Sequence, residues 1–321
     1  MSDTLRETHE QLPTDAGDTR PVLVTGATGY IGSHVVEELL RRGYPVRCTV
    51  RSREKLERFA WRDQVDVAEA DAFDIESLPI ALRGIRAAYY FIHSLLGKEP
   101  DYAARDRAAA FNFALAAKEE EVPRIIYLSG LGREDANISE HLSSRQEVGR
   151  MLASTGVPVT ELRAAIVVGA WSLSFRMIRY LTDRIPLMIT PKWVRTRVQP
   201  IAQDDVIRYL CDSLEVPESA GMVLEVGGAD ILTYGDMMMG YAEERGLHRA
   251  MIPVPVLTPG LSAYWVDLVT PIPASLAHPL IEGLRSEVIV TDHTARRLFP
   301  FVPMNYREAV KRALEEQPRI T

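Results

Sequence analysis

Cysteine and long apolar runs are both scarce in this sequence. Only two cysteines, Cys48 and Cys211, occur among 321 residues. They are too few and too far apart for a disulfide framework or a cysteine metal site. No apolar run reaches the roughly 18 residues that span a bilayer, and none near the start resembles a signal peptide. We therefore expect a cytoplasmic protein without a transmembrane segment or a bound metal, with Cys48 as a buried thiol.

Positive charge is also limited. The 37 Lys and Arg residues face 44 Asp and Glu residues, which gives a formal net charge of −7 at pH 7. A protein that binds nucleic acid normally shows a basic face, so the composition argues against such a partner. The chain is long enough for one large α/β domain with a smaller appendage.

A glycine-punctuated turn lies within residues 22–32, which read VLVTGATGYIG. An apolar run rich in β-branched residues ends there in Gly26, Gly29 and Gly32, and residues 33–40 follow with helical spacing. A strand, a glycine turn and a helix together point backbone N–H groups at a phosphate. The glycines permit a tight turn, close approach of a pyrophosphate, and close packing of helix on strand. The alternative is a glycine-rich turn that binds nothing.

Basic residues follow the second predicted strand, residues 45–50. Arg51, Ser52 and Arg53 stand where an NAD site carries an acidic residue for the ribose 2′-hydroxyl. Guanidinium groups at that place would pair with a 2′-phosphate through charge-assisted hydrogen bonds. The sequence therefore predicts NADP(H) as the cofactor in preference to NAD(H). The alternative for each arginine is a solvated charge at a loop edge.

Predicted strands alternate with predicted helices over the first half of the chain. The first of six strands opens at residue 21, and the other five cover residues 45–50, 65–70, 87–92, 123–128 and 157–162. This alternation is typical of an α/β fold with a doubly wound parallel sheet. Ligands of such sheets lie at the carboxyl ends of the strands. The residues at these ends include Asp71, Ala72, His93, Ser94 and Ser129.

We expect three regions in the chain. Residues 1–19 are polar without apolar periodicity and predict a disordered leader. Residues 20–170 form the predicted dinucleotide-binding core, and residues 171–321 a smaller substrate-side region interleaved with it. In this last region, residues 253–279 carry six prolines and cannot be a regular helix. Their apolar residues 264–266 suggest an apolar or aromatic substrate, whereas core packing or an oligomer contact is the alternative.

Several elements are predicted in the second half. Residues 222–226 form a predicted strand, and Thr233 is predicted to cap a following helix. Asp204 and Asp205 are predicted to cap a helix that runs to Leu214. The sequence leaves the oligomeric state open, with a homodimer through surface helices as one arrangement.

Several motifs together resemble one protein family. They are Thr25-Gly-Ala-Thr-Gly-Tyr-Ile-Gly32, Asp71, His93-Ser94, Tyr127-Leu-Ser-Gly-Leu-Gly132, Gln199-Pro-Ile201, Asp205-Val206 and Gly227-Gly228. They resemble the motifs of atypical, extended-like short-chain dehydrogenases/reductases, up to about residue 230. The branch with the greatest resemblance includes NmrA-like proteins and the accessory subunit of respiratory complex I that binds NAD(P)H. The resemblance implies a Rossmann fold with a smaller C-terminal substrate-side subdomain.

The resemblance also implies roles for residues of the cofactor site. The pyrophosphate would be surrounded by Gly26, Thr28, Gly29, Tyr30 and Ile31. Arg51 would face the phosphate of the adenosine. Asp71 and Ala72 would lie by the adenine, and His93 and Ser94 by the ribose on the nicotinamide side.

The chain departs from the catalytic Tyr-x-x-x-Lys signature of that family. His141 stands at the Tyr position and Arg145 at the Lys position. His141 could donate a proton near neutral pH, and Arg145 could hold a ribose or lower the pKa of a neighbour. Ser129 matches the catalytic Ser/Thr and could orient a carbonyl or a water. The alternatives are a surface or helix-start histidine, an ion pair of Arg145 with Glu147 or Glu161, and a strand-closing Ser129.

Three functions are compatible with these features. The first is an NADP(H)-dependent oxidoreductase that acts on a small, apolar carbonyl or enone substrate. The second is a non-catalytic sensor or assembly factor that binds NAD(P)H, which the missing Tyr-x-x-x-Lys signature favours. The third is a sugar-nucleotide epimerase in which Arg195 and Arg197 would hold a diphosphate. The altered signature and the apolar C-terminal region argue against the third.

Overall fold

The computed structural model of the protein describes residues 18–93, 102–132, 139–253, 283 and 286–316. Ser94, nearly all of the predicted leader and nearly all of the proline-rich segment lie outside these residues. The predictions made for them, including those on residues 264–266, are therefore not addressed by the structure.

Thirteen strands occur in the described residues. In chain order they are β1 (Val22–Val24), β2 (Val46–Val50), β3 (Asp66–Glu69), β4 (Ala87–Tyr90), β5 (Ile125–Gly130), β6 (Val159–Ala164), β7 (Val167–Val168), β8 (Leu187–Thr190), β9 (Arg197–Val198), β10 (Ile201–Ala202), β11 (Val223–Val226), β12 (Leu232–Thr233) and β13 (Ala250–Pro253). Seven of them form one sheet in the order β11-β6-β5-β4-β1-β2-β3. Every neighbouring pair in it is parallel.

Helices connect these strands. They are α1 (Tyr30–Arg41), α2 (Leu78–Leu82), α3 (Tyr102–Glu119), α4 (Glu140–Ala153), α5 (Leu173–Arg184), α6 (Gln203–Asp212), α7 (Tyr234–Glu244), α8 (Thr294–Leu298) and α9 (Tyr306–Glu315). From β1 the chain moves outwards to β2 and β3, and then returns to β4 on the other side of β1. This reversal confirms the predicted doubly wound α/β fold. No helix in the described ranges has both the length and the apolar character of a membrane span.

Alternating side chains of β1 build the core on both faces of the sheet. Val22 and Val24 pack with Val35 and other residues of α1, whereas Leu23 packs with Phe113 of α3. Because successive side chains of a strand point to opposite faces, a strand covered on both sides is apolar throughout. Helices α1 and α6 contact each other, as do α2 and α3, and α3 and α4.

Strand β11 extends the sheet beyond the six strands predicted for the first half. It pairs with β6 along its whole length, so the predicted strand over residues 222–226 belongs to the central sheet. A buried arginine supports this junction. The Arg124 guanidinium donates hydrogen bonds to the Ser213 carbonyl, to the Val216 carbonyl at 2.9 Å and to Ser219 Oγ at 2.7 Å. The start of β5 is thereby tied to the segment that leads into β11.

A second, smaller core lies among elements of the C-terminal half. Helix α7 packs against α5 and α9 around Phe175, Tyr241 and Val310. The predicted Thr233 cap is confirmed, because Thr233 Oγ1 accepts a hydrogen bond of 3.1 Å from the Asp236 N–H. The boundary at residue 170 between the two predicted regions stays a prediction.

The predicted cap of α6 is wrong. The helix begins at Gln203, so the two aspartates lie in its first turn, and no side chain caps it. Asp205 is only 5% exposed, and its Oδ2 atom accepts a hydrogen bond of 2.8 Å from the Met304 N–H. Burial raises the pKa of the Asp205 carboxyl to about 6. The hydrogen bond with Met304 connects the C-terminal segment to α6.

Both cysteines are buried packing residues. Cys48 lies in β2, as predicted, and Cys211 in α6, and both thiols are free. Burial raises the pKa of the Cys48 thiol to about 12 and that of Cys211 well above its usual value. Since the thiolate is the nucleophile and the metal ligand, neither cysteine is reactive at neutral pH.

Candidate functional site

The glycine turn after β1 admits no side chain at two of its three glycines. Gly26 has a φ of +62°, and a Cβ atom there would lie 2.6 Å from the Phe91 carbonyl oxygen. A Cβ atom on Gly32 would lie 2.3 Å from the Gly26 carbonyl oxygen. The exposed Gly29 precedes the first residue of α1, whose first turn has neither a side-chain cap nor an acidic residue. This arrangement leaves the N-terminus of α1 open to an anion.

Tyr30 connects the glycine turn with the C-terminal half. Its hydroxyl donates a hydrogen bond to Gln203 Oε1, and a Cβ atom on Gly169 would lie 2.3 Å from that hydroxyl oxygen. Thr28 and Ile31 are half-buried on either side of Gly29 and Tyr30. The five residues predicted to surround a pyrophosphate therefore form one continuous turn.

The arginines near the end of β2 differ in their surroundings. Arg51 is exposed, and none of the described residues forms a hydrogen bond or an ion pair with its guanidinium. Arg53 donates hydrogen bonds to Glu69 Oε1 at 3.1 Å and to the Val67 carbonyl at 2.9 Å. Its guanidinium is thus engaged by β3, whereas the neighbouring Ser52 is half-buried without a capping bond.

Arg58 is a residue that the sequence analysis missed. Its Nη2 atom donates a hydrogen bond of 2.8 Å to the carbonyl oxygen of Thr28 within the glycine turn. The side chain is exposed, and its guanidinium also lies 4.8 Å from the centre of the Phe59 ring. A second cation therefore stands beside the predicted pyrophosphate site.

The turn after β3 holds the two residues predicted to contact adenine. Asp71 Oδ1 accepts a hydrogen bond of 3.1 Å from the Phe73 N–H, which fixes the turn. The Ala72 carbonyl accepts one of 3.0 Å from Asn112 of α3. Ala72 is buried and Asp71 is half-buried, so a carboxylate edge remains accessible at this end of the sheet.

A cavity of about 510 Å³ lies at the carboxyl ends of β4, β5 and β6. Its walls include the first turns of α4 and α5, and mainly apolar side chains such as Leu128, Ile166 and Met177 line it. The polar residues that it brings together include Tyr30, His93, Ser129, His141 and Arg145. All three residues predicted to be catalytic thus share one cavity with His93 and with Tyr30 of the glycine turn.

His93 forms a close pair with a buried carboxylate that the sequence analysis also missed. The His93 Nδ1 atom lies 2.7 Å from Oδ2 of Asp106 on α3, and Asp106 is 1% exposed. The His93 Nε2 atom is buried and makes no hydrogen bond within the described residues. Burial and the charge of Arg145 lower the pKa of His93, and Asp106 partly offsets this effect.

His141 lies at the start of α4, but the surface position considered for it is wrong. Ser139 caps the helix by accepting a hydrogen bond of 3.4 Å from the Leu142 N–H, and the His141 Nδ1 atom is buried. The rings of His141 and His93 are 5.5 Å apart. Burial, with the nearby His93 and Arg145, lowers the pKa of His141 to about 3. Because this ring is neutral near pH 7, its pKa does not favour the predicted role as a proton donor.

Arg145 is held by the backbone and an aromatic ring. Its Nη2 atom donates a hydrogen bond of 2.5 Å to the Leu128 carbonyl, and the guanidinium lies 4.9 Å from the centre of the Tyr127 ring. The ion pairs considered for it are wrong, since Glu147 pairs with Arg107 at 2.7 Å and Glu161 with Arg163 at 2.8 Å.

The Ser129 hydroxyl completes the polar part of the cavity. Ser129 is 5% exposed, and its buried Oγ atom lies near the Tyr127 hydroxyl but forms no hydrogen bond of good geometry within the described residues. Buried polar groups in native proteins normally have partners. We call the Ser129 hydroxyl, His93 Nε2 and His141 Nδ1, together with the nearby Arg145 cation, the polar corner. Its hydroxyl and two imidazole nitrogens suit a ligand oxygen.

Comparison with known proteins agrees with the fold and with an NAD(P)H-binding domain. Residues 26–166 match the sequence profile of an NAD(P)H-binding family. Cinnamoyl-CoA reductase 2 of Arabidopsis thaliana is 30% identical over 244 residues, which are 64% of this chain and 72% of the relative. The matches to the first three curated relatives span between 37% and 54% of the length of those proteins.

Several solved structures share the fold, and two of them contain a nicotinamide cofactor. These two are the NADPH-dependent quinone oxidoreductase of Escherichia coli, complexed with NADPH, and the triphenylmethane reductase of Citrobacter sp., complexed with NADP(H). Each has a TM-score of 0.73 and 20% identity, and the alignment covers 91% of this chain and 99% of the other. The profile match, the Arabidopsis relative and the seven-stranded sheet confirm the resemblance found in the motifs. The chain belongs to the NAD(P)H-binding family of atypical short-chain dehydrogenases/reductases.

Proposed function

We propose that the protein is an NADP(H)-dependent oxidoreductase that acts on a small, apolar carbonyl or enone substrate. This proposal rests on one observation: the mainly apolar cavity is lined both by the polar corner and by Tyr30 of the glycine turn. One cavity thus adjoins the predicted pyrophosphate site and offers partners for a substrate oxygen. The names of the relatives, which include several reductases, support the same class of reaction.

The residues present fit a dinucleotide. Gly26 and Gly32 leave no room for a Cβ atom, so the backbone of the turn carries no side chain at these two positions. The N-terminus of α1 is open to an anion, because no side chain caps it. Arg51 supplies an exposed guanidinium group directly after β2, which favours a 2′-phosphate, and Arg58 supplies another beside the glycine turn. Two of the solved structures that share the fold are complexed with NADPH or NADP(H). A bound nicotinamide would supply or accept a hydride.

The chain itself supplies position and electrostatics. Apolar side chains form most of the cavity walls, and the Arg145 charge stands beside Ser129 at the end of β5. The Ser129 hydroxyl can donate a hydrogen bond to a substrate oxygen and so stabilise negative charge that develops there. Apolar substrates match the walls because burying their surface is favourable.

The cofactor preference is tested with charge changes. We expect Arg51→Asp to weaken NADPH binding by roughly 10- to 100-fold, because a charge-assisted hydrogen bond is lost and a like charge faces the phosphate. NADH binding should change little, and Arg58→Ala should weaken NADPH binding in the same direction. Arg62→Asp is the matched control, since Arg62 is exposed nearby on the same segment. Equal affinity of Arg51→Asp and the wild type for NADPH would overturn the 2′-phosphate assignment.

The oxidoreductase activity is tested with carbonyl probes. Purified protein is mixed with NADPH and benzaldehyde, 2-cyclohexen-1-one or menadione, and the loss of NADPH absorbance is followed. We expect at least one probe to be reduced, with a lower rate for Ser129→Ala. NADPH and NADP⁺ binding with equal affinity and no turnover of any probe would instead favour the non-catalytic sensor.

The non-catalytic alternative has one specific observation in its favour. The positions of the Tyr-x-x-x-Lys signature hold His141 and Arg145, and the pKa of His141 is lowered to about 3. The epimerase alternative has less support, because Arg195 and Arg197 do not line the cavity and Arg197 forms an ion pair with Glu287 at 2.8 Å.

A further inference from the structure

The pair of His93 and Asp106 differs from every other histidine contact in the described residues. Asp106 is 1% exposed, and its Oδ2 atom lies 2.7 Å from His93 Nδ1. A carboxylate is an acceptor only, so the ring must carry a proton on Nδ1. This fixes the tautomer and leaves the lone pair on Nε2. The Nε2 atom is buried without a partner, and the His93 side chain lines the cavity and keeps 25% of its surface exposed.

We propose that His93, oriented by Asp106, exchanges the substrate proton through its Nε2 atom, in place of the tyrosine that the family normally uses. The inference rests on the proposed oxidoreductase function and assigns the proton step within it. His93 is the catalytic residue in this assignment, and Asp106 is a positioning residue. The arrangement replaces the predicted donor His141, whose ring lies 5.5 Å away.

The proton step is balanced in both directions. In alcohol oxidation the hydroxyl O–H bond breaks and its proton passes to the Nε2 lone pair, while a hydride leaves the same carbon for NADP⁺. In carbonyl reduction the carbon takes a hydride from NADPH, and the new O–H bond receives the proton of the imidazolium at Nε2. The ring then exchanges its proton with solvent. Asp106 keeps its charge throughout and stabilises the imidazolium, as a buried carboxylate beside a catalytic histidine does.

The charges around His93 set the pH dependence. Asp106 faces the ring from α3, and His141 and Arg145 face it from α4. Burial and Arg145 lower the pKa of His93, whereas Asp106 raises it. Since the neutral ring predominates at neutral pH, oxidation should be at its full rate there. Reduction needs the imidazolium, so its rate should rise as the pH falls below the ordinary histidine value of 6.5.

The kinetic test uses a substitution that keeps the contact with Asp106. In His93→Asn the side-chain amide can still donate to Asp106, but no atom replaces Nε2. We expect the rate of benzaldehyde reduction, or of the probe that the wild type reduces fastest, to fall by roughly 10²- to 10⁴-fold, the usual contribution of a general acid. His248→Asn, at an exposed histidine, is the matched control and should keep the wild-type rate.

Asp106→Asn tests the positioning role. It removes the charge and keeps the shape, so the midpoint of the pH–rate profile should move to lower pH, with kcat affected more than KM. A merely structural role would lower stability without moving that midpoint. A second readout needs no turnover: ¹⁵N-histidine NMR of the wild type should show His93 as the Nδ1–H tautomer, and its titration should shift to lower pH in Asp106→Asn.

The outcomes separate the two proposals. If the wild type reduces a probe and His93→Asn reduces it equally fast, the oxidoreductase function stands and the assignment of His93 is wrong. An Nε2–H tautomer of His93, or an unchanged titration in Asp106→Asn, also overturns the assignment. If the wild type reduces no probe, the oxidoreductase function fails first, and the proton step with it.

Discussion

Arg145 places a fixed positive charge between two histidines. Its guanidinium contacts the Leu128 carbonyl and the Tyr127 ring. It forms no ion pair with Glu147 or Glu161, because these carboxylates pair with other arginines. One of the two roles predicted for it, lowering the pKa of a neighbour, agrees with the shifts at His93 and His141. Burial is the larger cause of both lowered pKa values, and the Arg145 charge adds to it, so both rings are neutral near pH 7.

We expect Arg145→Gln to raise the pKa of both His93 and His141, because the repulsion between the guanidinium and each imidazolium is removed. The folded-state pKa of His141 is about 3, below its ordinary 6.5, so stability falls as the pH drops from about 6.5 towards 3. This loss should be shallower in the variant. Histidine NMR titration and urea unfolding between pH 4 and 7 measure the two effects. Arg150→Gln, at an exposed position of the same helix, should change neither.

The titration of Asp205 changes the stability with pH in the opposite direction to that of His141. Its carboxyl is buried and its folded-state pKa is about 6, above the ordinary 3.8, so stability falls as the pH rises through this window. Asp205→Asn keeps an acceptor for the Met304 N–H without the charge. We expect it to stabilise the protein at pH 7.5 by up to about 3 kcal/mol, and the gain should vanish near pH 4. Asp204→Asn should give no such gain, since Asp204 pairs with Arg312 at the surface. Thermal unfolding at both pH values checks this.

The site residues differ in whether the sequence around them reveals their role. Gly26 and Arg51 were identifiable because they directly follow predicted strands, and Gly32 because it completes the glycine spacing of the turn. Arg58 was not, because its contact with Thr28 joins a loop to a turn 30 residues away. Asp106 was hidden in a helix that reads as alanine-rich, and nothing in the local pattern pairs it with a histidine 13 residues earlier.

At the scale of elements, the glycine turn fixes how close α1 can approach β1. We expect Gly32→Ala to destabilise the protein by about 2–4 kcal/mol, because the added Cβ atom meets the Gly26 carbonyl oxygen at 2.3 Å. Helix propensity alone would favour alanine by about 1 kcal/mol, so a loss is diagnostic of the clash. Urea unfolding measures it.

Gly84→Ala is the matched control for that clash. Gly84 has a φ of +68° but open space around its Cβ position. Its substitution should cost only the roughly 1–2 kcal/mol of a left-handed backbone conformation. A smaller loss for Gly32→Ala than for Gly84→Ala would contradict the close packing of α1 on the turn.

At the scale of the whole molecule, the alternation of strands and helices was sufficient to predict a doubly wound sheet. The place of β11 in it was not predictable, because its pairing with β6 joins residues about 60 positions apart. The same holds for β8 and β13, which pair in parallel across the C-terminal half. Local patterns predict elements, whereas tertiary contacts decide which of them become neighbours.

This pairing bears on the predicted boundary at residue 170. We expect a fragment of residues 20–170 to unfold without a cooperative transition, because β6 loses β11 and its buried residues become an exposed sheet edge. A fragment of residues 20–230 keeps that pair and should retain a steeper thermal transition. Circular dichroism during heating compares them, and equal cooperativity of the two fragments would show that β11 is dispensable.

The Arg124 contacts also set an order of events during synthesis. Three of its four acceptors lie 89, 92 and 95 residues further along the chain. At a synthesis rate of about 5–20 residues per second, its guanidinium would wait roughly 5–20 s for them to be made. During that time the Arg124 guanidinium stays hydrated, and its buried hydrogen bonds beside β5 cannot form. The last edge of the sheet therefore forms late, and a nascent chain halted before Ser219 would expose it to other proteins.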